Sequence, residues 1–171
     1  GKQDREGVDW WENSVRASIA HRQFAIDQSE TFRTYGPDAW GLTASDGPRG
    51  YEGRYGAPPS GFANDQHFVD GTLPPAGALG SIVFTPEESL AALRHYYSIP
   101  GLVGEYGLKD AYNTAIDPVW IASDVIGIDK GITLLMIENY RSEFVWKWFM
   151  NNEHVQAGLQ KTGVTAKVPA E

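Results

Sequence analysis

Residues 8–27, VDWWENSVRASIAHRQFAID, carry apolar positions at helical spacing on two faces rather than one. At about 100° per residue, Val8, Trp11, Val15, Ile19 and Ile26 share a stripe, while Trp10, Ala17, Ala20 and Phe24 fall nearly opposite. A helix at the rim of a bundle needs one apolar stripe, so two opposed stripes predict neighbours on both sides, in a multilayer helical assembly. From residue 36 to 81 the chain holds most of its Gly and Pro with aromatics between them, a composition that does not propagate helix or strand for long. Order returns at Phe84. Thr85-Pro86-Glu87-Glu88 reads as a helix start, with a threonine cap, proline at the first helical position and Glu88 placed for a capping box. Leu90, Leu93 and Tyr97 follow as an inward stripe, and Pro100-Gly101 ends the helix. Residues 102–124 read as an irregular connection. A further helix is predicted from near Asp129 to about Arg141, apolar on every side until Glu138. Helical stretches at 143–150 and 152–161 come next, the last capped by Asn151 or Asn152 and closed by Gly163. No repeat and no convincing strand pattern is present, so the predicted class is all-α with long loops.

At 171 residues the chain reads as a single domain, 1–171, long enough to bury a core. Aromatics reach 12% of the residues, and an excess of Trp and Tyr on loops favours flat ligands such as sugar rings, beside their ordinary use as core. The net charge of −8 repels phosphate, and no Lys/Arg stripe offsets it, which argues against nucleic-acid partners. With no cysteine, disulfide and thiolate chemistry are excluded. No apolar run approaches the roughly 20 residues that span a bilayer, so no membrane partner is expected. No signal peptide is seen; the sequence opens on GKQDREG, as a processed or truncated product would.

Read in order, the blocks WGLTASDGPRGY, YGAPP, FTPEESLAALRHYY, YGLKDAYN and GIDKG, followed by LLMIENYRSEFVWKWFM, resemble one family. It is the bacterial glucoamylase-like family of endo-β-1,2-glucanases and related β-1,2-glucan-processing domains. The resemblance covers nearly the whole chain. It implies an (α/α)6 toroid, helices paired in two concentric rings with a sugar cleft at one end. It also implies that these residues correspond to the C-terminal portion of that domain only. About five predicted helices are too few to close two rings. Where many members carry Gln followed by Gly-Pro after the GID aspartate, this chain has Lys130-Gly131-Ile132.

Glycosidic cleavage needs one protonated carboxyl at the leaving oxygen and one ionised carboxyl to activate water or attack the sugar. Asp129 is the first candidate, at a predicted helix start where backbone N–H groups and the dipole favour its ionised form. Lys130 beside it is expected to lower its pKa further, which suits a base. The competing reading is a plain N-cap. Asp124, about a turn earlier, is placed to orient Asp129, bind a hydroxyl or serve as the acid, or to be an ordinary loop aspartate. By resemblance the general acid is a glutamate outside these residues. Asp46 is a candidate for sugar hydroxyls with Trp40 and Tyr51 stacking on ring faces, or a turn aspartate in Ser-Asp-Gly-Pro. Arg49 and Arg54 are candidates for hydroxyls or neighbouring carboxylates, or solvated loop charges, and Trp120 for a cleft wall or core. Glu138 and Asn139 need partners if buried, and Arg141 is the expected ion-pair partner of Glu138, as structural bracing. The four histidines show no paired metal spacing and the acidic stretch at 65–70 no calcium-loop pattern, so neither metal nor cofactor is expected.

The resulting expectation is a glycoside hydrolase fragment acting on β-glucan, endo-β-1,2-glucanase-like, by carboxylate acid/base catalysis. The alternatives are a β-1,2-glucan transglycosylase and a non-catalytic glucan-binding module. Expected partners are glucan oligo- or polysaccharides and either a second chain with the N-terminal half or a self-associated copy covering exposed apolar faces. By resemblance to polymer-degrading relatives, the location is periplasmic or secreted.

Overall fold

The computed structural model describes residues 2–58 and 67–166. Pro59 of the YGAPP block, and Asp65 and Gln66 of the acidic stretch, lie outside them. Helix α1 (Trp10–Asp27) starts at Asp9, whose carboxylate accepts from the N–H groups of Trp11 and Glu12. Its two-faced pattern is only half satisfied. Trp11 packs edge-on against Phe84 and Trp146, with ring centroids 5.1 and 5.8 Å apart, and Phe24 packs against the core. Trp10 and Ile19 remain exposed.

The Gly/Pro-rich region is the core rather than a surface loop. Tyr35, Trp40, Leu42, Ala57 and Leu73 are buried there beside Ala78 and Leu79 of α2 (Pro75–Gly80). The short helix α2 was not expected from the sequence; six residues hold too little periodicity to show. Its place is set by a close backbone approach. A Cβ on Gly77 would sit 1.7 Å from the Gly41 carbonyl oxygen, and Gly41 itself has φ of +99°. Only glycine fits at both positions.

Helix α3 (Pro86–Ser98) begins where expected, but Thr85 makes no side-chain cap and the capping box with Glu88 does not form. The Thr85 hydroxyl turns instead toward the Ser81 carbonyl and the Ser89 hydroxyl. The inward stripe is also rotated by one position from the expected one: Ser89, Ala92 and Tyr96 are buried, and Tyr97 is 61% exposed. Polar residues are tolerated inside because backbone carbonyls accept from them. Ser89 donates to Ala78 at 2.8 Å and Tyr96 to Trp40 at 2.9 Å.

The helical class expected from the sequence holds, with short strands added that were not expected. Helices dominate, but four two-stranded antiparallel ladders join the loops: β1 (Lys2–Gln3) with β8 (Thr165–Ala166), β2 (Ser45–Gly47) with β3 (Gly50–Glu52), β4 (Val103–Gly104) with β5 (Gly107–Leu108), and β6 (Tyr112–Asn113) with β7 (Trp120–Ile121). Strands of two or three residues are below the length at which alternation is readable.

Helix α4 (Gly127–Ser142) packs across α2 and continues into α5 (Phe144–Met150) through Glu143, which adopts a left-handed conformation. Buried Asn139 secures that junction, its Oδ1 accepting from the Trp146 N–H at 3.0 Å. Glu138 pairs with Arg141 at 3.5 Å, the bracing expected. Helix α6 (Glu153–Thr162) is capped by the Asn152 side chain and closed by left-handed Gly163, both as expected. Much of the apolar surface of α4 and α5 has no cover: Ile128 (82% exposed), Leu134, Leu135, Phe144, Trp148 and Phe149 all face solvent.

Candidate active site

Helix α4 starts at Ile126, which offers no side-chain cap, so Asp129 is the third residue inside the helix and not its N-cap. Its half-buried side chain lines a cavity of about 230 Å3. Pro75, Ala76 and Leu79 of α2 supply the apolar side, Leu93 and Tyr97 come from α3, and Asp110 and Lys130 bring charge. Pockets for drug-sized ligands hold roughly 300–1,000 Å3, so this cavity accommodates one end of an oligosaccharide at most.

Asp110 is the acid that sequence reasoning missed. It lies between β5 and β6, is 4% exposed, and accepts the Asp46 N–H at 2.7 Å. Its own N–H donates to the Asp124 carbonyl at 3.0 Å. It belongs to the YGLKDAYN block that carried the family resemblance, which was the signal available for it. Its carboxyl lines the same cavity as Asp129 and acts on it through hydrogen bond and charge. Yet Oδ2 of Asp129, sealed from solvent, has no hydrogen-bond donor among the described residues.

Burial pushes the Asp129 carboxyl up to about 7, reinforced by the hydrogen bond and charge of Asp110 and by Asp46, against the opposing pull of Lys130. This overturns the expectation that Lys130 and the helix terminus hold Asp129 at low pKa. Adjacent helical side chains diverge. The Lys130 ammonium turns away to donate to the Leu108 carbonyl, and burial lowers its own pKa. Burial, then the charges of Asp110 and Asp124, also raise Asp46.

The remaining candidates separate. Asp124 contributes its backbone carbonyl to Asp110, while its exposed carboxylate accepts from the Ser123 hydroxyl at 3.0 Å. Trp40 is 1% exposed and has no ring face open for stacking: its burial under Tyr96 and α2 makes it core. Arg49 and Tyr51 line a second cavity of about 250 Å3 with Tyr55 and Asp70. There Asp70 accepts from the Tyr55 hydroxyl at 3.0 Å and lies 3.6 Å from the Arg49 guanidinium. Tyr51, 71% exposed, keeps a free ring. Trp120 is half-buried in β7 opposite Asn113 and lines neither cavity. Among the described residues, no group of His, Asp or Glu side chains is arranged to hold a metal, and no helix is long and apolar enough to cross a membrane.

Comparison with known proteins gives these features a setting. Residues 1–153 match the Glycoamylase family model, described as "Putative glucoamylase". The chain is 36% identical over 156 residues to an exo-β-1,2-glucooligosaccharide sophorohydrolase (non-reducing end) of Parabacteroides distasonis, covering 90% of this chain and 20% of that protein. It resembles the crystal structure of an endo-β-1,2-glucanase from Chitinophaga pinensis, a complex with sophorotriose and glucose, at 34% identity and a TM-score of 0.83. That match covers 97% of this chain and 38% of the other. A β-1,2-glucanase from Parabacteroides distasonis is similar at 34% identity and a TM-score of 0.81, over 95% of this chain and 22% of that one. The chain therefore spans about a fifth of the curated relative's length and no more than 38% of these solved structures. On the extent of the family match and the agreement in fold, this chain belongs to the glucoamylase-like Glycoamylase family.

Proposed function

We propose that this chain supplies the C-terminal half of an (α/α)6 catalytic domain that hydrolyses β-1,2-linked glucan, with Asp129 on the water-activating side. The observation that carries the reading is the half-buried Asp129 carboxyl facing a cavity with an unsatisfied oxygen, in a chain whose relatives are named as β-1,2-glucan hydrolases. In the proposed reaction, water attacks the anomeric carbon while its proton passes to Asp129. The glycosidic C–O bond breaks on the opposite face, and the leaving oxygen takes a proton from a carboxylic acid outside these residues, giving inversion. The uncovered faces of α1, α4 and α5 support an incomplete ring. Their partner would be a polypeptide carrying the N-terminal half, or a second copy of this chain. A periplasmic or secreted location suits a polymeric substrate, and cell fractionation tests it.

The deciding experiment measures reducing ends released from β-1,2-glucan by the chain alone, by the chain with the N-terminal half added, and by the mixture with Asp129→Asn. Activity is expected only in the complete mixture, with Asp129→Asn lowering it at least about a hundredfold, on the scale of general base catalysis. Cleavage by the 171-residue chain alone would refute the half-site reading. A glucan-binding role is favoured by one observation, the exposed Tyr51 ring bordering the Arg49–Asp70 cavity. Binding without cleavage in the complete mixture would select it.

A further inference from the structure

The Asp129 environment contains a contradiction that a single proton resolves. An ionised carboxylate only accepts hydrogen bonds, so two carboxylates bond to each other only when one is protonated. Among the described residues Asp129 has an oxygen sealed from solvent with no donor, and the Asp110 carboxyl, itself 4% exposed, lines the same cavity and acts on Asp129 through hydrogen bond and charge. Leaving a buried acceptor unsatisfied, and placing two negative charges together in a small half-apolar cavity, are both costly. Asp110 is fixed from two directions: its carboxylate takes the Asp46 N–H at 2.7 Å and its backbone N–H is tied to the Asp124 carbonyl at 3.0 Å. It is therefore not free to swing away from Asp129.

We infer that Asp110 and Asp129 hold one proton between them and work as a single acid–base unit, with Asp110 as the positioning residue that sets when Asp129 is free to accept a proton. The inference rests on the proposed role of Asp129 and adds a second carboxyl to it. The charged and titratable groups around the pair come from every packed element. Asp46 on β2 favours retention of the proton, and Asp124, which lies behind Asp110, acts on Asp46. Lys130 on α4 opposes it, and Lys109 and Tyr97 of α3 line the same cavity. α2 contributes only apolar side chains there. The raised Asp129 titration agrees with this arrangement. Loss of the shared proton readies the unit to take one from water, which makes water activation dependent on pH near neutrality.

The test needs no substrate: a carbon-13 NMR titration of the aspartate carboxyl groups in the full chain. The wild type is expected to show one aspartate titration with a midpoint near neutrality. Because the proton belongs to the pair, Asp110→Asn and Asp129→Asn should each abolish it. In Asp110→Asn the remaining Asp129 should titrate lower by on the order of one pH unit or more. If burial of Asp129 alone holds the proton, Asp110→Asn leaves the midpoint near neutrality, and the inference is overturned. Should Asp110→Asn fail to fold, the wild-type titration decides the matter: a proton held by the pair moves two aspartate carboxyl resonances at the one midpoint, and a single moving resonance overturns the pairing. These outcomes are independent of glucan cleavage. A complete mixture that never cleaves would sink the functional reading and leave the pair intact.

Discussion

Replacing Asp129 by Asn tests whether this carboxyl is a functional group held at a cost to stability. Its folded-state value is about 7, whereas an unfolded aspartate titrates near ~3.9. Below the unfolded value both states carry the proton and Asp129 adds no cost. As pH rises between the two values, only the unfolded chain ionises, so stability is lost, and the full cost is present above about 7. A gap of roughly three pH units corresponds to about 4 kcal/mol at ~1.36 kcal/mol per unit. Asp129 is only half-buried, so solvent screening brings the expected effect down to ~1–2 kcal/mol. Asparagine carries no charge and offers an N–H to the Asp110 carboxyl. Asp129→Asn should therefore stabilise the chain by ~1–2 kcal/mol more at pH ~8 than at pH ~4. Urea denaturation at the two pH values, with unchanged slope and shifted midpoint, measures the difference. A variant equally affected at both pH values would show that the fold leaves Asp129 unshifted, and one destabilised more at the higher pH that the fold favours its ionised form; either would overturn the reasoning from burial and Asp110.

Three further outcomes are expected. Gly77→Ala should cost about 3 kcal/mol or more, since its Cβ would collide with the Gly41 backbone rather than with a movable side chain; a loss under about 1 kcal/mol would mean that the α2 approach relaxes easily. Asn139→Ala should cost ~1–3 kcal/mol by stranding the Trp146 N–H at the α4–α5 junction, read as a lower urea midpoint, and an unchanged midpoint would remove Asn139 from that role. In dilute solution the chain alone should bind a hydrophobic dye or sediment as more than a monomer, because α1, α4 and α5 leave large apolar side chains bare. Adding the N-terminal half should abolish dye binding, and a monodisperse, dye-silent monomer would contradict the uncovered faces.

The sequence by itself determined where the longer helices lie and how several end. Apolar periodicity marks α1 and α3, an apolar run on every side marks α4, and local groups set the ends of α6: the Asn152 side-chain oxygen at its start, left-handed Gly163 at its close. It also marked Asp129 through the family pattern around GIDKG, and the two stripes of α1 through their spacing. Tertiary structure decided what depends on residues far apart in the chain. Six-residue α2 and the two- and three-residue strands carry too few positions for a period, and exist because neighbouring backbone meets them. Trp40 read as a stacking platform from its Gly/Pro-rich surroundings, yet Tyr96, 56 residues away, donates to its carbonyl in the buried core. The state of Asp129 was misread for the same reason. Sequence adjacency made Lys130 its apparent partner, but helical geometry sends the two side chains apart. The fold brings Asp110 across the cavity instead, and electrostatics follow distance through space and burial, which a linear pattern does not encode.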